Sequence, residues 1–323
     1  MDPIMIFHRW KNAKLAVIGK DHISDNKPCQ DKVESYAQNG IYAIALADGA
    51  GSRKFSDKGA EIVTKTVVKY LVEQFDDLII SMENEKTDSP FTAYHSLRKR
   101  LIVHISEALN AYTISNSNVE YRDLASTMLF VVFKDDQYVM GHLGDGLIVS
   151  YQYQLGEAFP KIMSIPENGA ASNITFFMTE NDVDQHLRLY KGDMSNILGF
   201  LLMSDGPEEV LYDERTGLNA NVESLFTNFH LKDTQTYAQQ LQRLLSERIA
   251  QISYDDLSLN LIYLDAWLFD GQSDNLPFIE GIRDLGQVKR LSKDSYLLDG
   301  SISPQKNQFA TTHDLIGLLR NQL

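Results

Sequence analysis

The sequence predicts a layered α+β fold, with helices packed outside β-sheets. Three observations carry this. Short β-branched runs recur between polar or glycine-containing segments; two amphipathic helical patterns stand early and two late; and 43% hydrophobic with 23% charged residues over 323 positions supplies a sizeable core.

Taken in order, KLAVI (14–18) and IYAIALA (41–47) read as strands because they are short, apolar and bounded by turn-forming segments. A helix is expected from Ser56, read as its N-cap, with Val63, Val67, Tyr70, Leu71 and Phe75 on one stripe. SMENEKTDSPF (81–91) is polar and contains proline, so it reads as a loop. A second helix over about 93–114 places Leu97, Leu101, Ile105, Ala108 and Tyr112 on one face. Strands then dominate: STMLFVVF, QYVMGHLG, LIVSYQY, ITFFMT and ILGFLLMS follow one another from residue 126. Helical patterns return near 221–229 and 235–250, and LSLNLIYL (257–264) alternates as a last strand. There is no internal repeat. Beyond about residue 265 the periodicity weakens, which divides the chain into a main domain, 1–265, and a C-terminal extension, 266–323, ending in the short amphipathic HDLIGLLRNQL.

The formal net charge of -14, from 30 basic and 44 acidic residues, argues against a nucleic-acid partner. A single cysteine, Cys29, excludes an intramolecular disulfide framework and a cysteine-rich zinc site. The N-terminus has neither the order nor the length of a signal peptide, and no apolar run approaches the roughly 20 residues of a membrane helix. A cytoplasmic protein without a membrane partner is the expectation.

Asp-Gly occurs at 48, 145, 205, 270 and 299, and such a pair is first of all a turn signal. The first three differ in context: IALADG, MGHLGDG and LLMSDG each place the aspartate where a long apolar run ends. Asp255, in YDDLS, precedes the last strand. Carboxylates brought together at the ends of buried strands repel unless a cation neutralises them, and an all-oxygen set suits magnesium, manganese or calcium better than zinc. The eight histidines are scattered, and neither a GxxxxGK[ST] phosphate loop nor a GxSxG elbow is present.

The ordered series CQD (29–31), ADGAGS (47–52), GA (59–60), ST (126–127), GDG (144–146), SDG (204–206) and DDLS (255–258) resembles the motifs of the type 2C, metal-dependent serine/threonine protein phosphatases, closest in wording to the bacterial branch. The resemblance spans roughly residues 14–265. It implies a four-layer α-β-β-α sandwich of two antiparallel β-sheets flanked by helices, with two manganese or magnesium ions at one end. Asp48 would bridge both ions, the Gly49 carbonyl would ligate one, and Asp205 and Asp255 would complete the other. Asp31 would act through water, and Asp145 would help to hold a third, weaker ion. A water activated between the metals would attack phosphorus without a covalent enzyme intermediate. Phosphoserine or phosphothreonine in a protein would be the substrate, and a serine/threonine kinase acting on that protein the implied counterpart in signalling.

The chain departs from the family pattern at several positions. Ala50 replaces the histidine that many relatives carry after the Asp-Gly pair, which leaves His22, upstream of CQD, as the candidate proton donor. The stretch DNKPCQD lacks the usual phosphate-gripping arginine. Lys27, Arg53 or Lys54 would have to substitute, although a lysine lacks the bidentate fork and Arg53-Lys54 also reads as a solvated loop pair. Gly146 stands where serine is common, and Asp256 where asparagine is common. TENDVDQH (179–186) falls where relatives carry a flap, or is a plain surface loop. Ser126-Thr127 reads as the start of a core strand. The alternative function is a silent phosphatase-fold module that binds a phosphoprotein; the presence of Asp48, Asp205 and Asp255 favours the enzyme.

Overall fold

Alternation along the central strands decides the layering. In β3 (Ile41–Ala47), Ala43, Ala45 and Ala47 face one way and Ile44 and Leu46 the other; all five are buried. In β4 (Met128–Lys134), Met128, Phe130 and Val132 join the alanines, and Leu129, Val131 and Phe133 join the isoleucine face. A strand buried on both faces needs a layer on each side. The computed structural model describes residues 5–83, 85, 94–154, 157–167, 175–230 and 232–269, and it supplies both layers.

The chain runs β1 (Met5–Val17), α1 (Lys20–Ser24), β2 (Lys32–Gln38), β3, α2 (Ser56–Glu83), α3 (His95–Ser115), β4, β5 (Gln137–Leu143), β6 (Leu147–Gln154), β7 (Glu157–Ser164), α4 (Val183–His186), β8 (Arg188–Asp193), β9 (Ile197–Met203), α5 (Asp205–Leu211), β10 (Tyr212–Asp213), β11 (Gly217–Leu218), α6 (Ala220–His230), α7 (Thr234–Glu247) and β12 (Leu257–Phe269). One sheet has the order β2-β3-β4-β5-β8 and the other β1-β12-β9-β6-β7, every pairing being antiparallel. Helices α2 and α3 cover the first sheet, through Val63, Val67, Leu71, Leu97, Leu101 and Ile105. Helices α6 and α7 cover the second, through Phe226, Phe229, Leu241 and Leu245. Ile44, Val131, Phe133, Phe200 and Leu202 fill the space between the sheets. This is the four-layer α-β-β-α sandwich.

Two polar positions of β12 do not face water. Ser258 and Asn260 are fully buried between the sheets, where Asn260 Nδ2 donates to the carbonyls of Ala45 at 2.9 Å and Glu34 at 2.8 Å and Oδ1 accepts from Asn12. Asn260 thus pins one sheet to the other with every bond satisfied.

Several expectations are corrected. ITFFMT does not form the expected strand: residues 175–177 belong to no strand or helix and 178–179 turn, because Phe176 stacks on His186 and the Met178 amide donates to the Ser126 carbonyl, while residue 174 lies outside the described residues. Ser56 is the first helical residue of α2 and not a cap, since its hydroxyl donates to the Arg53 carbonyl. Helix α2 continues to Glu83, into the segment read as a loop; most of the rest of that segment lies outside the described residues. Strand β12 continues to Phe269, and residues 270–323, with the Asp-Gly pairs at 270 and 299, lie outside the described residues. Among the described residues no helix is long and apolar enough to cross a membrane.

Candidate active site

Asp48 is placed by the end of β3 and by a clamp from the start of β4. Its amide donates to Thr127 Oγ1 at 2.9 Å, and its carbonyl accepts from the Thr127 amide at 2.8 Å. Gly49 bridges to Ser126, and the Ala50 amide donates to the Ala125 carbonyl at 3.0 Å. The Ser126-Thr127 pair therefore does more than begin a strand. It holds the Asp-Gly turn so that Asp48 leaves the sheet edge in one direction. Only glycine fits at 49, because a Cβ there would stand 2.8 Å from the Ser56 backbone.

Three further strand ends deliver carboxylates to the same place. Asp145 lies in the β5–β6 turn, Asp205 opens α5 directly after β9, and Asp255 precedes β12. All three line, with Asp48, Gly49, Ala50, His22 and Lys27, a cavity of ≈ 550 Å³ at one end of the sandwich. Asp31 is 1% exposed and sits behind that wall, close to Asp48, Ser204 and Ser258.

The electrostatics of this cluster are those of crowded carboxylates. Burial first, and then the charges of Asp31, Asp205, Asp145 and Asp255, hold Asp48 well above the usual carboxylate range. Burial and the neighbouring aspartates do the same to Asp205. Burial lifts Asp31 to about 6, opposed by Ser204 and helped by Asp256, and it also raises Asp145.

Whether these residues fit divalent cations is answered by their unmet oxygens. Both carboxylate oxygens of Asp31 are buried beside Ser204, Ser258 and Asp48 without a hydrogen bond of good geometry, and Oδ1 of Asp145 is buried without a partner, while the other Asp145 oxygen accepts from Thr175 Oγ1. Among the described residues no three metal-binding side chains close around a single point. Asp48, Asp145, Asp205 and Asp255 line the open cavity wall. Oxygen donors with unmet valence and mutual repulsion fit magnesium or manganese.

His22 stands in the cavity wall with Nδ1 2.9 Å from Asp256 Oδ2. Asp256, itself 1% exposed, also accepts from the amides of Gly19 at 2.7 Å and Gln30 at 2.6 Å, so it ties α1 and the CQD segment to the start of β12. Lys27 reaches the wall, 3.3 Å from Asp25 and 3.4 Å from the Gly51 carbonyl. Arg53 is not among the lining residues. Its carbonyl, accepting from Gln30 Nε2 and Ser56 Oγ, is the part engaged, and its side chain is exposed.

Sequence reasoning missed several wall residues: Asp21, Asp25, Thr175, Glu209 and Tyr254. A signal existed for Glu209, four positions after Asp205 and so one helical turn on from it. None existed for Thr175, which reaches Asp145 only through a loop crossing. Cys29 carries no reactive-thiol signature, since burial and the nearby Asp31 push its thiol up.

Comparison with known proteins bears on the family and the fold. The family model described as "Protein phosphatase 2C" matches residues 18–246. Serine/threonine-protein phosphatase 3 of Escherichia coli (strain K12) is 23% identical over 186 residues, covering 56% of this chain and 67% of that protein. Among solved structures, a bacterial serine phosphatase superposes with a TM-score of 0.54 at 17% identity, over 79% of this chain and 98% of the other. Serine/threonine phosphatase Stp1 from Staphylococcus aureus gives 0.53 at 16% identity, over 79% and 95%. These two likenesses show the shared fold, and the matched family model covers most of the described chain. The chain belongs to the protein phosphatase 2C family of serine/threonine phosphatases.

Proposed function

We propose that this phosphatase hydrolyses phosphoserine and phosphothreonine in proteins, using two divalent cations, manganese or magnesium, held at the cavity of Asp48, Asp205 and Asp255. The observation that supports this is the arrival of four aspartates from four separate strand ends at one cavity, with a fifth, Asp31, buried behind them. Asp48 and the Gly49 carbonyl would hold one cation, and Asp48, Asp205 and Asp255 the other; Asp145 would contribute to a third. When bound, such ions supply an activated water and neutralise the charge of the phosphoryl group.

The chain's own residues do the rest. Thr127 fixes the direction of Asp48 through the backbone. Asp31, buried behind the wall, would act on the cations only through an intervening water. Lys27 offers a positive charge to a phosphate at the mouth. His22, in the wall where Ala50 cannot serve, is the group able to give a proton to the departing alkoxide, with Asp256 setting its ring. The name of the Escherichia coli relative agrees with a phosphoprotein substrate. The silent-module reading is not favoured, since Asp48, Asp205 and Asp255 all line the cavity.

Hydrolysis of a phosphothreonine peptide with manganese, with magnesium and with chelator tests the reading. Wild type turns over with either metal and stops with chelator, and Asp48→Asn and Asp205→Asn each lose roughly a hundredfold or more. Metal-independent turnover, or variants equal to wild type, would contradict it.

A further inference from the structure

Resting on the phosphatase reading above, we propose that a groove between α5, α6 and α7 binds an extended segment of the phosphoprotein substrate, seating a branched aliphatic side chain while the phosphoresidue occupies the metal cavity. The groove encloses ≈ 640 Å³. Its floor is apolar, made by Leu211, Leu225 and Leu241, with the half-buried Leu244 at its side. Its edges carry Asn221, Ser224 and Gln240, amides and a hydroxyl suited to an extended backbone.

What commits the groove to substrate is its continuity with the cavity, made twice over. Ile252 lines both spaces and is 67% exposed. Helix α5 spans both as well: Asp205 and Glu209 face the cavity, and Val210 and Leu211, the next two residues, face the groove. Two further large apolar side chains stand exposed at the mouth, among its charged residues. Tyr254 is 61% exposed in the cavity wall, and Ile23, beside the wall residues Asp21 and His22, is 60% exposed. A chain leaving the metal site across Ile252 thus passes from the cavity to the leucine floor over an exposed apolar side chain that both spaces share. The acidic mouth formed by Asp21, Asp25 and Glu209 adds a preference for a basic residue between the phosphoresidue and the aliphatic anchor.

The test uses the full chain, manganese, p-nitrophenyl phosphate, and long phosphothreonine peptides in which leucine replaces alanine at successive positions out from the phosphoresidue. In wild type, leucine at one preferred position lowers KM about tenfold, the worth of one seated aliphatic side chain. Leu244→Asn, and Ser224→Arg on the exposed face of α6, each abolish that preference and leave p-nitrophenyl phosphate turnover unchanged. Ser224→Arg removes no packing, so a folding defect in the first variant does not obscure the result. The proposal is overturned if no leucine position matters, or if the preference survives both substitutions. It is overturned in favour of another occupant if either variant speeds p-nitrophenyl phosphate hydrolysis, which marks a segment of this chain in the groove, or changes the sedimentation coefficient, which marks a second copy. Wild type inert on every substrate removes the phosphatase reading, and this proposal with it; wild type active without a leucine preference removes this proposal alone.

Discussion

Asp48 and Thr127 clamp each other through two hydrogen bonds, the Asp48 amide to Thr127 Oγ1 at 2.9 Å and the Thr127 amide to the Asp48 carbonyl at 2.8 Å. A carboxylate that feels the charge of four other aspartates is thereby oriented by a strand that brings no carboxylate of its own. Thr127→Val keeps the shape and removes the acceptor, leaving the Asp48 amide without its partner. Thermal or denaturant unfolding should show a loss of about 1–3 kcal/mol, and the manganese concentration for half-maximal activity should rise. Thr127→Ser should restore both, and a variant with unchanged metal dependence would show that the clamp does not orient Asp48.

Crowded carboxylates stabilise a bound cation at the expense of the metal-free fold. Burial and neighbouring charge already hold Asp48 and Asp205 well above their ordinary range. Asp205→Asn should therefore raise the unfolding midpoint in chelator, by roughly 2–4 °C if about 1 kcal/mol of repulsion is relieved, and should abolish the stabilisation that manganese gives wild type. A lower midpoint in chelator would mean that the aspartates are not in conflict.

His22 in the cavity wall predicts a dependence on the leaving group. Donation of a proton matters for the alkoxide of threonine and little for p-nitrophenolate, which leaves readily as an anion. His22→Gln should lower kcat roughly a hundredfold on a phosphothreonine peptide and only slightly on p-nitrophenyl phosphate. Equal losses on both substrates would assign His22 a structural role.

How far the sequence revealed this molecule follows from burial. The central strands β3, β4, β5, β6 and β9 are buried on both faces and read clearly as apolar runs. The edge strands did not. β2 is half-buried over its first five residues and exposed at its last two, β7 carries a proline and a lysine, β8 is charged, and only residues 14–17 of β1 lay within an apolar run. An edge strand needs only one neighbour and little apolar surface, so its pattern is faint. ITFFMT failed for the opposite reason: its aromatic side chains pack a loop, Phe176 against His186, and not a sheet. At the site, the aspartates at strand ends were legible because the apolar runs before them were. Asp256 and Thr175 were not, since their partners Gly19, Gln30 and Asp145 lie far away in sequence.

His142 is fully buried on β5 with Nδ1 2.8 Å from Ser164 Oγ. Burial, and the positive charge of Arg188 next to it, hold its imidazole well below the ordinary value. In the folded chain it stays neutral while in the unfolded chain it takes a proton as pH falls below about 6.5. Its contribution to stability is therefore present above that pH and is lost progressively below it. Denaturant midpoints should fall less for His142→Gln than for wild type between about pH 7 and pH 5, and parallel declines would show that another group governs the acid limb.

The central claim is that the wall of aspartates holds two cations and that turnover needs both. Equilibrium dialysis with manganese, run beside phosphothreonine peptide hydrolysis at the same free metal concentrations, tests it most directly. The account predicts two or more ions per wild-type chain, activity rising with occupancy of the second, and loss of at least one ion and of turnover together in Asp48→Asn. Fewer than two ions bound at full activity, or undiminished turnover in Asp48→Asn, would contradict it.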